Sequence, residues 1–445
     1  MSSSEQQLTD FLRLNPTVER IEVLLPDMNG IFRGKSLPVS AAKKLMGGLR
    51  FPLSFYMGDI WGHDVDAAGL ALEVGDPDAA AQPVMSSLCL VPWAKHPTAQ
   101  VVMSLFNDDG SPVVYDPRAQ LKFAIDRLVG LGLTAVVAAE LEFYLIDGRN
   151  TPQDPPKAPT SPCVANLYDV QLMAEHEDLI RDIRIACEQQ SVPMDLIIAE
   201  YGRGQYEINL NHVDDPLLAA DHAVLLKRIV RGCARNHGLD ATFMAKPYGD
   251  EVGSGLHVHA SLLNKEGNNV FSSDEGVGKK LEQANAGLLD TMLDCQAIFT
   301  PHLNSYRRIL NDHFPARSIS WGLDNRAVSV RVPATKGIAA RLEHRICGAD
   351  VNPYLAIAAI LGGIANGLEQ EMTPPAIQKI GDPMPKTKLS SDWMGTIERF
   401  GQSEKVKALF GPEYQKAYAA VRMSEASAFN DRVSNVEHEV YLNQL

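Results

Sequence analysis

Apolar and polar residues alternate in several short runs of this chain, and the alternation predicts strands. Thr134–Ile146 alternates and ends as a strand carrying Glu140 and Glu142. Gly204–Leu210 repeats the pattern with Gln205 and Glu207, and Leu256–Leu263 repeats it with His257 and His259. Strand residues two apart share a face. Each run therefore presents its polar pair to one side of a sheet. Glu343-His344-Arg345 has the same spacing, and Glu200 with the arginine pair Arg326 and Arg331 completes the set.

Helical spacing marks other segments. Asp116-Pro117 reads as an N-cap followed by proline at the first helical position, and the helix runs through Leu121, Ile125, Leu128 and Val129. Residues 169–190 and 215–237 are predicted as amphipathic helices. Asn352-Pro353 caps an apolar helix, and its run Leu355–Ile364 is too short to span a bilayer. The last fifty residues read as mostly helical. Near the start, Ile21–Leu25 and Ile31–Arg33 flank Asn29-Gly30, which predicts a hairpin with a two-residue turn. Gly34-Lys35-Ser36 looks like the end of a phosphate-binding loop. However, Gly30 lies one residue too close, and no strand–loop–helix context surrounds it. Residues 148–162 and 371–390 are proline-rich connections. The turn Asn107-Asp108-Asp109-Gly110 suggests a division into residues 1–112 and 113–445. Strands and helices intersperse without a βαβ rhythm, which predicts an α+β protein with an antiparallel sheet.

Composition adds exclusions. The 445 residues suffice for two domains, and a formal net charge of −14 disfavours nucleic acid as a partner. The six cysteines, Cys89, Cys163, Cys187, Cys233, Cys295 and Cys347, are scattered without a CxxC pair and are predicted to be reduced thiols of a cytoplasmic protein. Met1-Ser2-Ser3-Ser4-Glu5 lacks the basic and apolar parts of a signal peptide, and no membrane partner is predicted.

A sheet face bearing five carboxylates, a histidine pair and several arginines is no ordinary core, because unpaired buried charge is too costly. Glutamate-rich sites with one or two histidines suit Mg²⁺ or Mn²⁺ better than zinc. Two such ions with arginines can hold a nucleotide's phosphates beside a carboxylate substrate. That combination fits ATP-driven activation of a carboxylate through an acyl phosphate, followed by attack of an amine. Singly, each motif is more often a solvated strand face or a surface ion pair. Their co-occurrence in this order decides the reading.

The order Glu140-Leu141-Glu142, Glu200 with Gly204-Gln205-Tyr206-Glu207, and Gly253-Ser254-Gly255-Leu256-His257-Val258-His259 resembles the glutamine synthetase superfamily. Asn304-Ser305-Tyr306-Arg307-Arg308, Asn325-Arg326 with Arg331-Val332-Pro333, and Arg341-Leu342-Glu343-His344-Arg345 before Asn352-Pro353-Tyr354 continue it. The resemblance implies a small N-terminal β-grasp domain and a larger catalytic domain whose antiparallel sheet forms the active-site funnel. It also implies stacked hexameric rings, a homo-oligomeric dodecamer, with each site completed by a neighbour. By resemblance, Glu142, Glu200 and Glu207 hold a first metal, and Glu140, His257 and Glu343 a second. His259 and Ser261 match nucleotide-side positions. Arg326, Arg331 and Arg341 match phosphate-neutralising arginines, and Arg308 and Arg345 match grips on glutamate carboxylates. Gly253 matches the glycine that approaches the substrate amino group. The catalytic set is Glu142, Glu207, Arg326 and Arg331.

Two features depart from glutamine synthetase proper. No glutamate appears between Ile309 and Asn325, where the family enzyme carries one that takes a proton from ammonium. The Asp-Gly-Ser-Ser turn that binds ammonium is replaced by Phe55-Tyr56-Met57-Gly58-Asp59-Ile60-Trp61-Gly62-His63-Asp64. Such departures are similar to the γ-glutamylpolyamine synthetase branch, which joins glutamate to putrescine. Asp59, Asp64, Asp66, Tyr56 and Trp61 are candidates for amine contacts, Phe314 and Trp321 for an apolar wall, and Asp59 or Asp312 for the deprotonating base. The alternatives are ammonia-using glutamine synthetase, a γ-glutamyl ligase for another small amine such as ethanolamine, a non-enzymatic scaffold and a nucleotide-independent dinuclear hydrolase. Retained metal ligands argue against the scaffold, and the arginine set argues against the hydrolase.

Overall fold

The computed structural model describes residues 3–69, 75–149, 151, 153–159, 166–311 and 317–445. The first part begins with helix α1 (Ser3–Leu14) and builds one sheet. Its strands are β1 (Arg20–Pro26), β2 (Phe32–Pro38), β3 (Arg50–Pro52), β4 (Asp78–Pro83), β5 (Cys89–Leu90) and β6 (Thr98–Phe106). The order is β2-β1-β6-β4-β3 with β5 beside β6. β1 pairs antiparallel with β2 and parallel with β6, a β-grasp arrangement.

The hairpin forms, but its connection is longer than the sequence predicts. Pro26 pairs with Phe32, so Asp27–Ile31 is a five-residue loop and not a two-residue turn. The reason is Asp27, whose buried carboxylate accepts from the backbone N–H of Asn29 and Ile31 at 2.8 and 2.9 Å. Gly30 supplies the left-handed residue at φ +70°. Gly34-Lys35-Ser36 lies within β2 and forms no phosphate loop.

The larger part follows. Asp116 caps α2 (Pro117–Gly130), accepting from Arg118 N–H at 2.9 Å. Next come β7 (Thr134–Asp147), α3 (Val170–Glu175), α4 (Glu177–Gln189), β8 (Met194–Ala199) and β9 (Gln205–Leu210). Then follow α5 (Pro216–Asn236), β10 (Leu239–Thr242), β11 (Leu256–Leu263), α6 (Lys279–Thr291), α7 (Gln296–Phe299) and α8 (Leu303–Asn311). β12 (Trp321–Leu323), β13 (Val330–Ala334) and β14 (Arg341–His344) lead to α9 (Pro353–Glu369). The chain ends in α10 (Trp393–Gln402), α11 (Glu404–Phe410), α12 (Pro412–Asn430) and α13 (Asn435–Tyr441).

The second sheet has the order β12-β13-β14-β11-β7-β9-β8, with β10 on β7. It is antiparallel apart from the β12–β13 pair. The predicted helix over 169–190 breaks into α3 and α4 at His176, whose backbone is non-helical. Tyr206 explains the break, because its hydroxyl donates to the Leu172 carbonyl at 3.3 Å. An uninterrupted helix would give that carbonyl to the His176 N–H. Instead, His176 N–H donates to Met173. The apolar helix α9 is buried as predicted, and no helix among the described residues is long and apolar enough to cross a membrane. Asn352 at its N-cap donates to the carbonyls of Asp27 and Met28 at 3.0 and 3.3 Å, tying the start of α9 to the β1–β2 loop.

Candidate active site

The register of the second sheet assembles the polar pairs. Glu142 on β7 lies opposite Glu207 on β9, and Glu140 opposite Asn209. On the other side of β7, His257 faces Glu140. His259 faces Glu343 on β14, which in turn faces Arg331 on β13. Side chains from β9, β7, β11, β14 and β13 therefore meet across one face. A single-residue slip of any strand would turn its pair away.

Two groups of candidate ligands result. Glu140, His257 and Glu343 form one, and Glu142, Glu207 and His257 the other; within each group the ligand atoms lie within 4.8 Å of one another. His257 joins them, with Nδ1 3.1 Å from Glu140 Oε2 and Nε2 4.0 Å from Glu142 Oε1. The first group coincides with the second-metal set expected from sequence. The other differs in one member, since Glu200 stands outside the compact group, just beyond the end of β8. Glu200 still belongs to the same field: burial, then the nearby Glu142, raise its carboxyl to about 7.

The electrostatics describe a site short of positive charge. Burial pushes Glu140 up, but His257 and His259 outweigh it and hold the carboxyl far below its ordinary value. Burial raises Glu207, and Glu140, Glu142 and Glu200 raise it further, to about 9. Burial also pushes Glu343 up, yet His257 and Arg345 leave it lowered. Like-charged carboxylates crowded this closely cannot all ionise without counter-charge. An oxygen-rich set with one shared imidazole suits hard divalent cations, so the residues present fit Mg²⁺ or Mn²⁺.

Neighbouring groups fix the orientation of these side chains. Gly255 N–H donates to Glu142 Oε2 at 2.8 Å, and Gln205 Nε2 bridges Glu142 Oε2 at 3.3 Å and the Gly253 carbonyl at 3.0 Å. His259 Nε2 lies 2.8 Å from Glu140 Oε1, while its Nδ1 accepts from Arg341 Nε at 3.3 Å. That pairing leaves the Nε2 proton for Glu140. Arg331 donates to Glu343 at 3.0 Å and to Asp324 at 3.2 Å, and Arg345 contacts the other oxygen of Glu343. Gly255 is the tight point of the glycine segment. A Cβ there would lie 2.8 Å from Arg308 Nη2 and 3.2 Å from His257 Nε2.

A cavity of about 400 Å³ adjoins the cluster, lined by Glu140, His259, Ser261 and Arg341. These include the positions expected on the nucleotide side. Asp195 and Asn209 share its wall and were missed, as was Gln205 as a positioning residue. Gln205 and Asn209 carry the signal already used, since both lie two residues from Glu207 on its strand. Asp195 lies on β8, whose short run with Pro193 before it shows weak alternation. Arg308 and Arg345 are buried, while Arg326 lies exposed in the loop between β12 and β13 and exerts its charge on Glu200.

Several amine-side candidates fare differently. Tyr56 is fully buried and belongs to the core. Asp59 is committed to its own turn, accepting from Trp61 and His63 N–H at 2.9 and 2.8 Å. The Trp61 ring is covered by Phe429 at 5.1 Å and Arg432 at 4.8 Å. Trp321 is sealed in the core, its indole N–H donating to Pro375 O at 2.8 Å. Asp64 and Asp66 are exposed. Asp312, Phe314 and Cys163 lie outside the described residues. The other five cysteines are free thiols, as expected.

Residues 114–441 match the catalytic domain of glutamine synthetase. The chain belongs to the glutamine synthetase family. With that family it is an ATP-dependent carbon–nitrogen ligase. Among glutamine synthetase relatives, it is 37% identical to γ-glutamylputrescine synthetase PuuA of Escherichia coli (strain K12), over 98% of this chain and 94% of that protein. It is 32% identical to the glutamate–isopropylamine ligase of a Pseudomonas species, over 99% of each. The solved structure of apo GmaS without ligand superposes with a TM-score of 0.83 at 25% identity, over 97% of this chain and 98% of that one.

Proposed function

We propose that this protein joins the γ-carboxyl of glutamate to a primary amine, a diamine or polyamine such as putrescine, using ATP. The observation that carries the reading is the glutamate–histidine–arginine face itself. It pairs a carboxylate-rich donor set with arginines next to a cavity large enough for a nucleotide's phosphate end. The relatives named for putrescine and isopropylamine support an amine larger than ammonia. So does the absence of a glutamate between Ile309 and Asn325.

A carboxylate resists attack because its charge is delocalised. In the proposed reaction a γ-carboxylate oxygen attacks the γ-phosphorus of ATP, the bond to the β–γ bridging oxygen breaks, and ADP leaves. The amine lone pair then attacks the acyl carbon of the γ-glutamyl phosphate. Phosphate departs with the bonding pair, and the nitrogen loses its proton. Glu142, Glu200 and Glu207 would hold one divalent ion and Glu140, His257 and Glu343 the other; bound there, the ions supply charge neutralisation at the phosphates. Arg331, which donates to Glu343 and Asp324, would offset charge on the transferring phosphoryl group together with Arg326 and Arg341. Arg308 and Arg345 grip the glutamate carboxylates, and Gly253 approaches the amino group. Residues 1–112 and 113–445 are the proposed domains, the second holding this chemistry.

The test is phosphate release at fixed glutamate and ATP, comparing ammonium, putrescine, spermidine, isopropylamine and ethanolamine. The expected result is turnover with a diamine well above that with ammonium. Turnover with ammonium alone overturns the polyamine assignment, and no release with any amine overturns the ligase reading.

We also propose a homo-oligomer, a dodecamer of two hexameric rings. The C-terminal end supports it, since Val436, Leu442 and Leu445 are 66%, 72% and 99% exposed in the single chain. Exposed apolar residues so concentrated suit an interface. Light scattering of Leu442→Asp should show smaller particles than the wild type; unchanged size would remove the tail from the interface.

A further inference from the structure

A second cavity, of about 310 Å³, lies between the β1–β2 loop and α5. It shares no lining residue with the glutamate–histidine cluster. Lys227, Arg228, Arg231 and Arg235 line it from one helix, with Phe32 and Trp93 opposite. Among the described residues no carboxylate lines it. Four basic residues lining one cavity stand out in a chain of net charge −14.

Two of these charges are met from outside the cavity. Arg228 contacts Glu22 and donates to Gln100 at 2.9 Å, and Arg235 donates to Asp240 at 3.3 Å. The other two make no ion pair among the described residues. Lys227 is 7% exposed, and its ammonium donates to the Val351 carbonyl at 2.9 Å. Among the described residues it makes no ion pair. Asp350, the carboxylate that attracts it, accepts from Ser305 Oγ at 2.6 Å instead. Arg231 lies over the Phe243 ring at 5.1 Å, and Asp240, which accepts from Arg235, attracts it without forming an ion pair. Burial, and then Arg231 beside it, lower Lys227 to about 7. An enclosed amine beside a second cation with no ion pair is an arrangement that an anion would relieve.

We propose that this cavity binds a small dianion, a phosphate ester or a dicarboxylate, held by Lys227 and Arg231 with Arg228 and Arg235 at its edge. A bound anion would favour the charged form of Lys227; that ammonium and Arg231, neither in an ion pair, set the valence, and the volume limits the ligand to a small metabolite. Arginine pairs with the planar or tetrahedral oxygens of either class. The aromatic wall of Phe32 and Trp93 provides an optical probe.

The experiment titrates inorganic phosphate and, separately, succinate against the full chain, with chloride holding ionic strength constant. Thermal unfolding and tryptophan fluorescence are followed. One anion or both should raise the unfolding midpoint saturably, and the responding arm identifies the class. Arg341→Ala, altered beside the other cavity, should keep the part of the response that Arg231→Gln weakens. Arg231→Gln should bind about tenfold more weakly, the loss expected for one charge-assisted hydrogen bond. Arg235→Gln, at an exposed position, should also weaken binding and decides the matter if Arg231→Gln does not fold. The proposal fails if neither anion acts beyond chloride. It fails equally if the Arg231 and Arg235 variants respond like the wild type, or if the response is lost in Arg341→Ala alone.

Discussion

Replacing Glu142 with alanine is expected to abolish ATP-dependent amide formation while leaving the fold and assembly intact. Glu142 lies opposite Glu207 and 4.0 Å from His257, within one of the two candidate metal groups. It also orders the glycine segment, because one of its oxygens accepts from Gly255 N–H and Gln205 Nε2. Removing an outer partner of a metal site costs ~10–100-fold. Loss of Glu142 should exceed that range, because Glu142 is a candidate direct donor. Stability should not fall with it, because the change relieves repulsion among crowded carboxylates. Measured together, turnover and the unfolding midpoint separate the two effects. Full activity in Glu142→Ala would contradict the metal assignment.

The largest stability effect is expected at Arg422. Arg422 and Glu425 on α12 are each 1% exposed and pair at 2.6 Å. Arg422 also donates to Asn29 Oδ1 at 2.7 Å, and Glu425 accepts from Ile60 N–H at 2.7 Å. The pair thus clasps two loops of the N-terminal sheet to a C-terminal helix. Arg422→Met should cost about 3–5 kcal/mol, because it strands the Glu425 carboxylate in the interior. Arg422→Met with Glu425→Leu should recover part of that loss. Recovery stays incomplete because the Ile60 N–H and Asn29 lose their partners, at about 1–3 kcal/mol for an unsatisfied buried group. Chemical denaturation of the single and double variants checks both statements; an unchanged midpoint in the single variant would refute the clasp.

This clasp was not legible in the sequence. Arg422 and Glu425 show ordinary i, i+3 spacing on a helix, and nothing local tells that the pair is buried against residues nearly four hundred positions away. The glutamate–histidine face was legible, because strand alternation states which side chains share a side. Glu140 with Glu142, and His257 with His259, needed only the registers of β7 and β11 to meet. Short elements failed for a related reason. β3, β5 and β12 are two or three residues long, too brief for any period to register. Tertiary contacts overrode local signals twice. Tyr206 broke the helix at His176, and the Asp27 carboxylate lengthened the hairpin loop. The aromatic residues near Asp59 misled because an aromatic beside acids reads the same whether it faces a ligand or the core. Tyr56 faces the core, and so does Trp321, the residue expected in the apolar wall.

The account rests on hard cations gathered by glutamates from separate strands. Counting bound Mn²⁺ by electron paramagnetic resonance, on the full chain with and without ATP, tests it most directly. Two or more ions per chain are predicted for the wild type, with fewer in Glu142→Ala and Glu343→Ala. A wild-type protein that binds no Mn²⁺, or variants that bind as many ions as the wild type, would contradict it.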